Sequence, residues 1–127
     1  NTQVAQREPL YATALGKLFL SDFSPEALAE SFANIDASPL AANTITTLAF
    51  MQREVAQIRR QGYALDNEEY VDGMICFAMP IRDFTGKTIS GISVSGPARR
   101  MTPEKLENIK ESLAPVCQKL SAFLGYN

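Results

Sequence analysis

Ser93 and Ser95 are the side chains of this chain whose type and spacing best suit the binding of a small polar molecule. They alternate with Ile92 and Val94, and side chains alternate across a strand, so the pattern places the hydroxyls on one face. A hydroxyl group can both donate and accept hydrogen bonds. This face could line a polar pocket, or it could be the solvent-facing side of a half-buried antiparallel sheet, which is common.

Nucleophilic and metal chemistry have little support in the sequence. Histidine is absent, which excludes Ser-His-Asp and Cys-His arrangements and every zinc site that needs histidine. Cys76 and Cys117 lie far apart without CxxC spacing, so we expect two thiols rather than a disulfide, as in a reducing cytoplasm. No metal or other cofactor is predicted, and an enzyme would depend on carboxylates, lysine or tyrosine.

Length and composition indicate one folded domain. The chain has 127 residues, of which 46% are hydrophobic and 20% charged, enough for a single hydrophobic core. Its formal net charge is −2, and the basic residues are scattered, so we expect this chain alone not to bind nucleic acid. No apolar run approaches the ~20 residues that a membrane span needs.

Four helices are predicted from capping signals and apolar periodicity. Ser24 and Thr102 are each followed by a proline and then a glutamate. This order is typical of a helix start, with the hydroxyl residue as N-cap, the proline at the first helical position and the glutamate in the first turn. Thr47 caps the third helix and Gly62 ends it, while Pro115 should kink the last one. The predicted helices span about 12–21, 25–32, 48–61 and 103–124. The predicted apolar face of the last helix comprises Leu106, Ile109, Leu113, Leu120 and Leu124.

A β-hairpin is predicted between the last two helices. An acidic loop leads from Gly62 into one strand, a tight turn follows at 83–86, and a second strand begins at Thr88. Together with the helices this predicts an α/β (α+β) fold, an antiparallel sheet flanked by helices. Because an isolated hairpin is marginal in water, further strands are required, and we expect them from sequence outside this chain.

Five segments in a fixed order carry a family resemblance. They are PLYATALGK at 9–17, IRRQGYALDNEE at 58–69, GMICFAMPIRD at 73–83, ISGISVSGP at 89–97 and LSAFLGY at 120–126. The chain resembles the C-terminal effector-binding domain of IclR-type bacterial transcription regulators over essentially its whole length. The resemblance implies a GAF-like ligand-sensing domain at 1–127 that forms homodimers or homotetramers in the cytoplasm. It also implies that the first part of this domain and a DNA-binding winged helix-turn-helix lie outside the chain.

The resemblance also implies a ligand site. Backbone amides at Ala14 and Leu15 would hold a ligand carboxylate, which suits the anion preference of a helix N-terminus. Asp66 would hydrogen-bond the oxygen end of the ligand, and Cys76 would be a weak thiol donor beside it. The remaining implied site residues are the hydroxyl-bearing Ser93 and Ser95 and the apolar Met74.

Ordinary structural roles remain open for several of these residues. Lys17 would be solvated at a packed helix start, and Cys76 and Met74 could simply be core residues. We expect Glu68 and Glu69 to form a solvated loop face or cap a turn. The expected surface residues are Arg82, Arg99 and Arg100. Glu8 stands where a sensor of small 2-oxo acids can carry an apolar residue, which argues against a glyoxylate- or pyruvate-like ligand.

Three functions follow from these residues. The leading hypothesis is a sensor domain whose small carboxylate effector alters operator binding by the helix-turn-helix domain. A second is a ligand-free oligomerisation module of the same regulator. A third is a small enzyme using Cys76 or Asp66, which is disfavoured because nothing in the sequence supplies an activating base for the cysteine.

Overall fold

The computed structural model describes residues 9–127, so Glu8 lies outside the described residues. Four helices and three strands follow one another along the chain. In order they are α1 (Ala14–Leu20), α2 (Pro25–Asn34), α3 (Leu48–Gln61), β1 (Ala64–Asn67), β2 (Met74–Arg82), β3 (Thr88–Pro97), a 3-10 turn (Ala98–Arg100) and α4 (Pro103–Phe123).

The helix boundaries confirm the capping signals of the sequence. The side chains of Ser24, Thr47 and Thr102 each accept the backbone N–H three residues later. Thr13 does the same for α1, which begins two residues after the predicted start. Gly62 ends α3 in the left-handed conformation, with φ of 83°.

A three-stranded antiparallel sheet with strand order β1-β2-β3 forms the centre of the domain. The hairpin between β2 and β3 and its turn, closed by the Gly86 N–H bond to the Asp83 carbonyl, were predicted correctly. The acidic loop predicted to begin after Gly62 covers only 68–73, because β1 occupies Ala64–Asn67 and supplies the third strand. Ala64 and Asp66 point to the same buried face of the sheet. Because one of these two inward positions carries a charged residue, the sequence lacks the alternation of apolar and polar residues that is typical of a half-buried strand.

Helices cover both faces of the sheet, which confirms the predicted α+β class. On one face α4 packs against Phe77 and Met79 of β2, together with Ile92 and Val94 of β3. On the opposite face α1 contacts all three strands and α3 packs beside it. Ser93 and Ser95 belong to this second face, as the alternation predicted. No helix within residues 9–127 combines the length and apolar character needed to span a membrane.

The buried face of α4 differs from the predicted one. Ile109, Cys117 and Ser121 are buried, whereas Leu120 and Leu124 are both more than one-third exposed. The positions that face the sheet, 109, 113, 117 and 121, repeat every four residues. The hydroxyl group of Ser121 accepts a hydrogen bond from the Arg82 backbone N–H. A hydrogen bond therefore replaces the apolar contact that the leucine pattern predicted. The helix continues through Pro115.

Gly16 lies inside α1 because the preceding turn folds back over the helix. A Cβ atom there would lie 2.5 Å from both the Cα and the carbonyl oxygen of Leu10. The Thr13 hydroxyl bridges the same turn, donating to the Pro9 carbonyl and accepting from the Gly16 N–H. The absence of a side chain at Gly16 is therefore a packing requirement of this turn.

We predict that Gly16→Ala destabilises the domain by about 1–3 kcal/mol, the usual cost of overpacking. Helix propensity alone favours alanine over glycine by about 1 kcal/mol, so the two effects have opposite signs. Urea unfolding measures the difference. Ser112→Ala, at an exposed position in α4, is the control and should keep or raise stability. A stability of Gly16→Ala equal to or above that of the wild type would contradict the packing argument.

Candidate functional site

A polar row crosses the sheet on the face that α1 covers. Asp66 of β1 lies opposite Cys76 of β2, which lies opposite Ser95 of β3. The Cys76 sulfur and the Ser95 hydroxyl oxygen are 2.9 Å apart and share a hydrogen bond. The thiol also hydrogen-bonds the Asp66 carboxylate. The structure thus joins three of the predicted site residues in one continuous network.

Asp66 forms the buried end of this row, with 2% of its surface exposed. Burial raises the pKa of its carboxyl group, because removing a charge from water favours the neutral form. Hydrogen bonds from the Glu69 and Tyr70 amides, the charge of Lys17 and the thiol of Cys76 oppose this increase. The group can therefore accept a hydrogen bond when ionised and donate one when protonated.

The two predicted hydroxyls are open to solvent beside α1. Ser93, opposite Ala78 of β2, and Ser95 are both exposed, although α1 covers neighbouring parts of the same face. Leu15 packs closely onto Gly91 of β3: a Cβ atom added to Gly91 would lie 2.8 Å from Cδ1 of Leu15. The short helix, only seven residues long, leaves the serines uncovered.

The remaining predicted site residues lie around the same face. Ala14, in the first turn of α1, is buried and packs with Ala64 and Ala78 of the sheet, and Cys76 packs against the same cluster. Met74, half-buried, begins β2 opposite Pro97. The structure therefore brings Ala14, Leu15, Cys76 and the serines to one side of the sheet. Met74 lies at the start of the central strand, two residues before Cys76 and on the same face.

Lys17 is fully buried, so the expectation of a solvated lysine was wrong. Its ammonium group donates to Glu54 of α3 at 2.6 Å, to Glu69 at 2.7 Å and to the Leu65 carbonyl. Glu69 is buried as well, which corrects its predicted solvated role. Lys17 lies three residues after Ala14, so both side chains share the inward face of α1. This spacing was the sequence signal that could have predicted the burial of Lys17.

The arginines expected on the surface divide into two groups. Arg82 is half-buried: it forms an ion pair with Asp22 at 3.2 Å and donates to the Gly86 carbonyl, so it is less solvated than expected. Its place at the end of β2 brings it beside the hairpin turn and the loop after α1. Arg99 and Arg100 are exposed, as expected.

A cleft of about 670 Å³ lies elsewhere, between β1, one side of α3 and the segment before α3. Its charged lining groups are Glu54 and Glu69, and no lysine or arginine lines it. Lys17 balances one of these two negative charges, so the pair of carboxylates keeps a net negative charge that disfavours a carboxylate ligand in this cleft. Within residues 9–127 no cluster of three or more acidic or thiol side chains could hold a metal ion.

Comparison with known proteins defines the class of this α+β domain. The family model for the bacterial transcriptional regulator IclR C-terminal domain matches residues 1–122. The chain therefore belongs to the IclR family of bacterial transcriptional regulators and corresponds to their C-terminal domain.

Three relatives illustrate the similarity. The transcriptional regulator KdgR of Escherichia coli is 32% identical over 99% of this chain and 48% of its own length. The solved C-terminal domain of E. coli KdgR superposes with a TM-score of 0.88 and 34% identity, covering 95% of this chain and 74% of that one. A double mutant of the PobR inducer-binding domain from Acinetobacter, in complex with 3-hydroxybenzoic acid, gives a TM-score of 0.80 and 26% identity, covering 95% of this chain and 67% of that one. The chain spans about half the length of the curated relatives it matches.

We predict that Asp66→Asn changes how stability depends on pH. Because the folded-state pKa of Asp66 is raised, the wild type loses stability as pH rises from the ordinary value near 3.8 through the folded value. The asparagine does not ionise, so the free energy of unfolding of the wild type should fall relative to the variant over this range. Urea unfolding from pH 3 to pH 7 measures it, and a constant difference would contradict the burial effect.

Proposed function

We propose that this chain is the effector-binding domain of its regulator and binds a small carboxylic acid on the α1 face of the sheet. The observation that carries the proposal is the Asp66–Cys76–Ser95 row, continuous with the exposed hydroxyls beside α1. Polar groups that converge on one face, next to apolar walls from Leu15 and Met74, are the usual composition of a small-molecule site.

A carboxylate ligand has two kinds of partner at this face. The first-turn amides of α1, at Ala14 and Leu15, belong to the helix end whose N–H groups cannot bond within the helix, and they favour an anion. Hydroxyl or oxo groups of the ligand would bond to Ser93, Ser95 and Asp66. The PobR relative, an inducer-binding domain in complex with 3-hydroxybenzoic acid, supports a ligand with both kinds of group.

Effector binding would act through a shift between two conformations of the whole regulator. A ligand changes such an equilibrium only by its differential affinity for the two states, and about 1–3 kcal/mol suffices for regulation. DNA would be bound by a helix-turn-helix domain outside this chain, in the bacterial cytoplasm. Chemical turnover is not required, and the acidic neighbour of Cys76 disfavours a nucleophilic thiolate there.

An oligomerisation role has its own support and accompanies ligand binding in this proposal. Val116, Leu120 and Phe123 follow one stripe of α4 and are exposed, Phe123 to 87%, and Phe84 is exposed to 76%. Exposed apolar side chains that form a contiguous patch are typical of protein–protein contact. We infer a homodimer or homotetramer. An oligomerisation module without a ligand is the alternative that the following screen separates.

We predict that a small carboxylate raises the melting temperature of the purified chain. The panel contains pyruvate, D-gluconate and 3-hydroxybenzoate as representatives of 2-oxo, sugar and aromatic acids. A ligand at a hundred times its dissociation constant adds about 2.7 kcal/mol of stability. Ser93→Leu and Ser95→Leu should abolish the shift, because each removes a hydroxyl and fills the open face.

The control for the serine variants is Ser112→Leu, at an exposed position on α4 away from the site. It should retain the ligand-induced shift. A shift that persists in both β3 variants would place the ligand elsewhere. No shift with any acid, from a chain shown to be folded by circular dichroism, would favour the oligomerisation module.

A further inference from the structure

The buried ammonium group of Lys17 joins segments that are distant in sequence. Lys17 has 0% of its surface exposed, and its acceptors come from α3 (Glu54), β1 (Leu65) and the turn after β1 (Glu69). Two carboxylates surround one ammonium group. A buried lysine is unfavourable unless it is paired and fully hydrogen-bonded, so these contacts constrain where each segment can lie.

Glu69 connects this ammonium group to the candidate site. One carboxylate oxygen accepts from Lys17, and the other accepts the Asn67 backbone N–H at 2.8 Å. Its own backbone N–H donates to Asp66 Oδ1 at 2.8 Å, and the Tyr70 N–H donates to the same oxygen at 3.3 Å. The turn at 66–70 therefore holds Asp66 from one side and is itself held by Lys17 from the other.

Lys17 also fixes the opposite wall of the site. It lies on the same short helix as Ala14 and Leu15, whose amides would hold the ligand carboxylate in the function proposed above. One side chain thus links α1 to the turn that presents Asp66. Glu54, whose side chain is 26% exposed, completes the ion pairs from the outer side.

We propose that Lys17 is a positioning residue of the effector site: its ion pair with Glu69 orders the 66–70 turn and sets the distance between α1 and Asp66. The role in effector binding rests on the function proposed above. The ordering of the turn does not, and it can be measured without any ligand.

The test is amide hydrogen exchange, followed by NMR, in the wild type and in Lys17→Met. Methionine keeps the length of the side chain and removes its charge. We expect the amides of Asn67, Glu69 and Tyr70 to exchange at least tenfold faster in the variant, while the amides of α4 keep their rates. Lys119→Met, at an exposed position of α4, is the matched control and should leave both sets unchanged.

Two further variants keep the test decisive if Lys17→Met does not fold. Glu69→Gln removes the charge of the acceptor, leaving a hydrogen bond from the Lys17 ammonium group to a neutral amide oxygen, and should accelerate the same three amides to a smaller extent. Glu54→Gln leaves the Lys17–Glu69 pair in place and should preserve their protection. Acceleration spread equally over α4, or unchanged rates in the turn, would overturn the positioning role.

The affinity of the panel acids for the lysine variants tests the role of Lys17 in effector binding separately from the ordering of the turn. Any panel acid that stabilises the wild type should bind about tenfold more weakly to Lys17→Met and with unchanged affinity to Lys119→Met. If no acid binds the wild type, but the amides of the 66–70 turn exchange faster in Lys17→Met than in the wild type, the proposed function fails and the ordering of the turn by Lys17 stands. Equal affinity in both lysine variants would overturn the role of Lys17 in the effector site.

Discussion

The burial of one lysine charge constrains most of this domain. A fully buried ammonium group requires acceptors in place of water, and Lys17 finds them on α3, on β1 and on the turn after β1. Those segments cannot move independently without leaving a charge unpaired. The position of α1 over the sheet, and therefore the geometry of the face that carries Asp66, depends on these contacts.

The length of α1 then decides what part of the sheet stays open. The helix has seven residues against ten in β3, and Leu15 packs tightly against Gly91 of β3. The face beyond that contact retains exposed hydroxyls continuous with a buried carboxyl group. A sheet whose other face is sealed by α4 thus keeps one partly uncovered polar surface, which suits reversible binding of a small acid.

Much of this arrangement could be predicted from local signals. The helix caps, the hairpin turn and the alternation of Ser93 and Ser95 are each encoded within a few residues, and the structure confirms them. The strand β1 was missed because Asp66 points inward, and the burial of Lys17 was missed because its acceptors lie 37 and 52 residues away. The inward face of α4 was misjudged because a hydroxyl of Ser121, rather than a leucine, meets the sheet. The partners of such long-range polar contacts cannot be identified from local periodicity.

An NMR titration of the ¹⁵N-labelled chain, with a panel acid that raises its melting temperature, tests most directly whether the effector binds on the α1 face of the sheet. We predict that the shifted amides cluster at Ala14 and Leu15 and at Asp66, Cys76, Ser93 and Ser95. Shifts confined to the cleft lined by Glu54 and Glu69, with the α1 face unchanged, would contradict the assignment of the effector site.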